Sequence, residues 1–163
     1  MSSEVPDLIH ANALVLEDYG VLILGESGSG KSLLTLTLIE RAQLIGRTAQ
    51  LVADDYCELM AQDDRLMACV PKNIHGAMEI RGAGLFSYSY QERTGLDLVV
   101  ELNSDAERYP EAQDFCLFGI CLPRLRLPRL DGNIPLLAVC HAIEATLFQP
   151  RWSENRVSAR ENP

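Results

Sequence analysis

"VLILGESGSGKSLL", residues 21–34, decides the fold. Four apolar residues, Val21 to Leu24, run into a loop of Gly and Ser, and the loop runs into Leu33 and Leu34. Gly25, Gly30, Lys31 and Ser32 hold the fixed positions of G-x-x-x-x-G-K-[ST]. With Gly near 7% of ordinary residues, a chain of this length shows the pattern by accident only about once in two hundred. A strand before the loop and a helix after it lower that rate further. Such a loop places successive backbone N–H groups around phosphate oxygens, which glycine allows at close range. In it Lys31 reaches the β- and γ-phosphates, and the Ser32 hydroxyl holds Mg²⁺. The competing reading is a Gly/Ser turn that merely caps a helix.

Working outward, "ANALVLEDYGVLIL" (11–24) predicts two short strands around a turn at Asp18, Tyr19 and Gly20, the second feeding the loop. A helix should begin near Gly30, with Leu33, Leu34, Leu36, Leu38, Ile39 and Leu44 as its apolar face and Gly46 as its stop. "RTAQLVADDYCELMAQDDRLMACVP" (47–71) predicts a strand ending at Asp54 and Asp55, then a hairpin turning at Asp63 and Asp64. "MEIRGAG" (78–84) has two glycines that loosen the backbone, and "GLDLVVELN" (95–103) reads as a strand. "AERYPEAQ" is a short connection. "FCLFGICLPRLRLP" (115–128) reads as one strand and its exit, because Pro123, Pro128 and Pro135 would break a helix. "IPLLAVCHAIEATLF" closes the chain as an amphipathic helix. The expected fold class is α/β, a P-loop in a mixed sheet with flanking helices. Residues 1–150 form one catalytic domain, and 151–163 read as a polar, disordered tail.

Composition agrees with one globular domain: 163 residues, 47% hydrophobic, 23% charged. A net charge of -9 disfavours nucleic acid as a partner, since phosphate binding needs a basic face. Lys31 and Lys72 are the only lysines, so twelve of fourteen basic residues are Arg. Five cysteines without a C-x-x-C pair suggest neither a disulfide framework nor a zinc site. No leader and no apolar run of membrane-spanning length is visible, so a cytoplasmic, membrane-free protein is expected.

A bound nucleotide needs a second metal anchor and a group to take the acceptor's proton. Asp54 and Asp55 close an apolar strand, and carboxylates at the carboxyl edge of such a strand point into the site. Glu79 and Arg81 share parity on one strand, so both could face phosphate, and a solvent-exposed ion pair would give the same pattern. Arg108 could stand over a transferring phosphoryl group. His10, His75 and His141 have no metal-ligand spacing, and His141 reads as structural.

Together His10, "GVLILGESGSGKS", "LVADD", "EIRGAG" and the Arg of "ERYP" resemble the catalytic domain of the HPr kinase/phosphorylase family, over about residues 8–148. The resemblance implies a fold like that of phosphoenolpyruvate carboxykinase. It implies a serine protein kinase of the phosphotransferase system that moves the γ-phosphoryl of ATP, with Mg²⁺, to an HPr-like phosphocarrier, and that often reverses this by phosphorolysis. By that pattern Gly25, Glu26, Ser27, Gly28, Ser29, Gly30, Lys31 and Ser32 bind nucleotide. Ser32 and Glu79 hold Mg²⁺. His10, Lys31, Asp54, Asp55 and Arg108 are catalytic, one aspartate being the base. A hexamer is implied as well. The resemblance covers only the catalytic domain of long members, so a short form without their amino-terminal domain is expected, and the chain reads Asp131, Gly132, Asn133 where they carry Gly-Arg-Asn. The alternatives are a small-molecule P-loop kinase and a non-catalytic ATP-binding sensor.

Overall fold

The computed structural model describes residues 7–151 apart from 132 and 134, so the tail expected at 151–163 lies outside the described residues from 152 onward. Eleven strands and two helices follow in the order β1 (Asp7–Ile9), β2 (Ala11–Leu16), β3 (Tyr19–Gly25), α1 (Lys31–Leu44), β4 (Ala49–Ala53), β5 (Cys57–Gln62), β6 (Arg65–Cys69), β7 (Ala77–Ile80), β8 (Gly84–Ser87), β9 (Arg93–Asn103), β10 (Gln113–Leu117), β11 (Ile120–Pro128) and α2 (Leu136–Phe148). Nine strands make one mixed sheet ordered β1-β5-β6-β9-β3-β2-β4, with β11 on β9 and β10 on β11. β7 and β8 form a separate hairpin.

Alternation along the strands splits the core in two. Leu14, Leu16, Val21, Ile23, Leu98 and Val100 face Leu34, Leu38 and Ile39 of α1 and Val139 and Ile143 of α2. The opposite face buries Val15, Leu22, Val52 and Val99 against Leu59, Leu66 and Ala68, because the sheet curls β5 and β6 back over it. A two-toothed pair, Arg41 Nε and Nη2 to Glu144 Oε1 and Oε2 at 2.9 Å each, ties α1 to α2.

Strand direction creates the site. β3 and β4 both pair antiparallel with β2, so β2 begins at the edge where they end. β9 runs parallel to β3, and β11 parallel to β9, so both also end there. His10, the Gly-rich loop, Asp54, Asp55 and the chain after Pro128 therefore converge on one edge of the sheet.

Four expectations need correction. Residues 115–128 are no single strand: Phe118 and Gly119, at φ of 51° and 75°, turn a tight hairpin from β10 into β11. That turn sets Cys116 opposite Cys121, Cα to Cα 4.1 Å, and the two form a disulfide. The turn before β3 falls at Glu17 and Asp18, leaving Tyr19 and Gly20 in the strand, with Glu17 at φ 54°. Arg81 lies in the β7–β8 turn, beyond the strand that carries Glu79. The hairpin at Asp63 and Asp64 stands as expected, both at positive φ.

Candidate active site

β3 delivers Gly25 to a loop whose glycines adopt positive φ, 77° at Gly28 and 99° at Gly30, and α1 starts at Lys31. The Lys31 side chain folds back into the loop, where Nζ donates to the carbonyls of Gly25 (2.9 Å) and Glu26 (3.2 Å). Lys31 is only 6% exposed, and this burial pushes its ammonium below the ordinary value, opposed by the nearby Asp55 and Asp54 carboxylates. Ser29 is wholly buried, and its hydroxyl has no hydrogen-bond partner among the described protein groups. Buried polar atoms are nearly always partnered. An orphan hydroxyl in a loop that also holds a buried ammonium and a row of backbone N–H groups suits a bound anion.

The acidic pair sits directly after β4. Asp54 Oδ1 accepts from the Ser32 hydroxyl at 2.7 Å, and Oδ2 accepts from the Glu79 backbone N–H at 3.1 Å. Asp55, at φ 70°, turns its carboxylate to the surface, where Oδ1 pairs with His10 Nε2 at 2.5 Å. The His10 ring leans on Tyr56, centroids 5.7 Å apart. The bend that reverses the chain after β4 thus aims one aspartate at the loop and the other at solvent.

Among the expected residues, the fold unites His10, Lys31, Ser32, Asp54 and Asp55, and brings the Glu79 backbone to Asp54. It does not bring Arg108, whose guanidinium stands over Tyr109 at 5.3 Å in the segment between β9 and β10. His75 stacks on Tyr90, and His141 faces Glu144 at 3.6 Å, both away from the loop.

Sequence reading missed three contributors. Asn12, fully buried, bonds to Ser32, Thr35, Asp54 and Asp55. Arg129 reaches Glu26 of the loop at 2.5 Å and Asp131 at 2.6 Å, and Leu130 N–H donates to Ser29 O at 2.8 Å. The segment after β11 is therefore a strap across the loop. Beside it opens a cleft of about 310 Å³ lined by Gly25, Glu26, Glu101, Asn103, Ser104 and Arg129. The polar Asn at an otherwise apolar strand position was the available signal for the first.

The family model for the HPr serine kinase C-terminal domain matches residues 4–128. The chain belongs to the HPr serine kinase C-terminal domain family. It is 36% identical over 139 residues to the HPr kinase/phosphorylase of Caldanaerobacter subterraneus subsp. tengcongensis, covering 77% of this chain and 44% of that protein. It is 31% identical over 155 residues to the HPr kinase/phosphorylase of Geobacillus thermodenitrificans, covering 86% and 48%. The chain thus spans less than half the length of these relatives. A solved HPr(Ser) kinase/phosphatase from Coxiella burnetii superposes with a TM-score of 0.72 at 25% identity, covering 96% of this chain and 99% of that one. The HPr serine kinase C-terminal domain is thereby matched in sequence and in fold, and the mixed α/β sheet expected from sequence stands. No described helix is long and apolar enough to cross a membrane.

Proposed function

We propose that the chain is a serine kinase catalytic domain that transfers the γ-phosphoryl of ATP to a serine of an HPr-type phosphocarrier. One contact carries the reading: the Ser32 hydroxyl of the Gly-rich loop donates to Asp54, putting the acidic pair beside the phosphate-binding loop. A sensor that only bound Mg-nucleotide has use for one carboxylate beside the loop serine, but not for the second.

In this reading the backbone of Gly25 to Ser32 surrounds the polyphosphate, and the Ser29 hydroxyl gains its missing partner. Lys31 exchanges the carbonyls of Gly25 and Glu26 for phosphate oxygens. That exchange favours the charged ammonium, because an anion offsets the burial that lowers its pKa. Ser32 and Glu79 offer hard oxygen donors, and such donors suit Mg²⁺. When bound, the metal neutralises charge on the phosphates. The acceptor serine oxygen forms a bond to phosphorus while the bond from phosphorus to the ADP oxygen breaks, and the Asp54–Asp55 pair takes the hydroxyl proton. His10 holds Asp55 in place. The assignment of Arg108 to the transferring phosphoryl group requires its guanidinium to leave Tyr109, over which it stands at 5.3 Å on the segment between β9 and β10. Phosphorolysis, a cytoplasmic location and a hexamer belong to the same proposal.

The test is a pair of variants, Asp54→Asn and Asp55→Asn, assayed for transfer and for ATP binding. Each loses transfer by about 10²-fold or more while holding metal-free ATP nearly as the wild type does. Wild-type turnover by both would remove the acidic pair from the reaction.

A further inference from the structure

Along β2, Asn12, Leu14 and Leu16 share the face under α1, and Leu14 and Leu16 belong to the core cluster there. Asn12 takes the next position on that face with no exposure at all. A buried amide is tolerated only when its polar atoms are partnered, and both ends of this one are. Nδ2 donates to Asp54 Oδ1 at 2.7 Å and lies 3.2 Å from Thr35 Oγ1 and 3.4 Å from Ser32 Oγ. Oδ1 accepts the Asp55 backbone N–H at 3.0 Å. The orientation is fixed by its partners, since a flipped amide would face oxygen to carboxylate and N–H to N–H.

One side chain therefore holds the first turn of α1 and both aspartates after β4. Thr35 Oγ1 spends its own proton on Lys31 O at 2.8 Å, so it accepts from Asn12 and reaches neither aspartate. The Asp54 carboxylate is consequently gripped from three elements: Asn12 on β2, Ser32 on α1 and Glu79 N–H on β7.

We infer that Asn12 is a positioning residue, whose amide sets the Asp54 carboxylate and the Asp55 backbone against Ser32 so that metal-nucleotide and acceptor meet in register. This rests on the proposed kinase reading for its meaning, though not for its test. Asn12 touches neither substrate. Its removal acts through Asp54 and Ser32.

The experiment compares wild type with Asn12→Ala, Asn12→Ser and Thr35→Val. It measures melting temperature, ATP affinity with and without Mg²⁺, and phosphoserine formation on an HPr-type protein. Loss of a partner that orients a ligating group typically costs about 10–100-fold, so kcat in both Asn12 variants falls by that factor while metal-free ATP affinity stays within about threefold. Mg²⁺ tightens ATP binding in the wild type, and this gain disappears in the Asn12 variants. Thr35→Val, which disturbs the same buried seam without touching Asp54, keeps both. If Asn12 only packs the core, Thr35→Val and the Asn12 variants decline together in stability and in rate, and the inference fails. It fails equally if a folded Asn12→Ser keeps both kcat and the Mg²⁺ effect. A wild type that transfers nothing would overturn the kinase reading, while the Mg²⁺ dependence would still decide Asn12.

Discussion

Gly30→Ala probes the contact between the loop and its strap. Gly30 precedes α1 at φ 99° and ψ 16°. A Cβ there would stand 2.5 Å from Leu130 Cβ and 3.3 Å from its Cγ and Cδ1. An L-residue held in left-handed conformation costs about 1–2 kcal/mol. Forcing a methyl into a filled space costs about 1–3 kcal/mol more. The variant should lose roughly 2–5 kcal/mol, a melting shift of about 5–15 °C for a domain of this size. Urea denaturation followed by circular dichroism measures it. Leu130→Gly removes the clashing Cβ, so in a double-mutant cycle it should restore about 1–3 kcal/mol of the Gly30→Ala loss. Because Leu130 N–H bonds Ser29 O, the displaced strap should also weaken ATP binding. A Gly30→Ala protein within 1 kcal/mol of wild type, as a rough threshold, with no coupling to Leu130 would refute the strap.

Two further outcomes follow from the helices and the thiols. Arg41, bonded to Glu144 through two contacts, holds that carboxyl below its ordinary range. A depressed folded-state value adds stability above the unfolded one, about 4.3, and that stability is lost as pH falls through the folded-state value. Wild type should therefore exceed Glu144→Gln by about 1 kcal/mol at pH 7, with the advantage fading as pH falls below about 4 in denaturation curves. An advantage independent of pH would contradict the pairing. Separately, the protein unfolded without reductant should titrate three thiols, Cys57, Cys69 and Cys140, and two more after reduction. In the folded state Cys57, with burial pushing its thiol up to about 12, and Cys140, pushed to about 11, should resist alkylation at a mildly alkaline pH of about 8.

The loop and its flanks were legible because backbone need shapes composition there: φ of 77° and 99° favours glycine, and an apolar run on either side identifies strand and helix. Asp63 and Asp64 were legible as a turn for a similar reason, since both tolerate positive φ. The β10–β11 hairpin was hidden by its prolines, which argue against a helix but leave strand and loop open, and by a Phe-Gly turn outside the commonest turn pairs. With the turn unseen, the register that faces Cys116 to Cys121 could not be drawn. Asp54 and Asp55 were found by position at a strand end. What divides them, one aimed at Ser32 and one at His10, depends on the bend at Asp55 and on Asn12, forty-odd residues away in the chain, and no local pattern encodes that pairing. Arg129 was likewise visible only once β11 had been placed parallel to β9, ending beside the loop.

The most direct measurement of the proposed activity is phosphoserine formation on an HPr-type phosphocarrier with Mg-ATP, comparing wild type with Lys31→Ala. Transfer by the wild type, with Lys31→Ala reduced by about 10²-fold or more, is the expected result. ATP bound by the wild type with no phosphoserine formed, or equal transfer by both proteins, would contradict it.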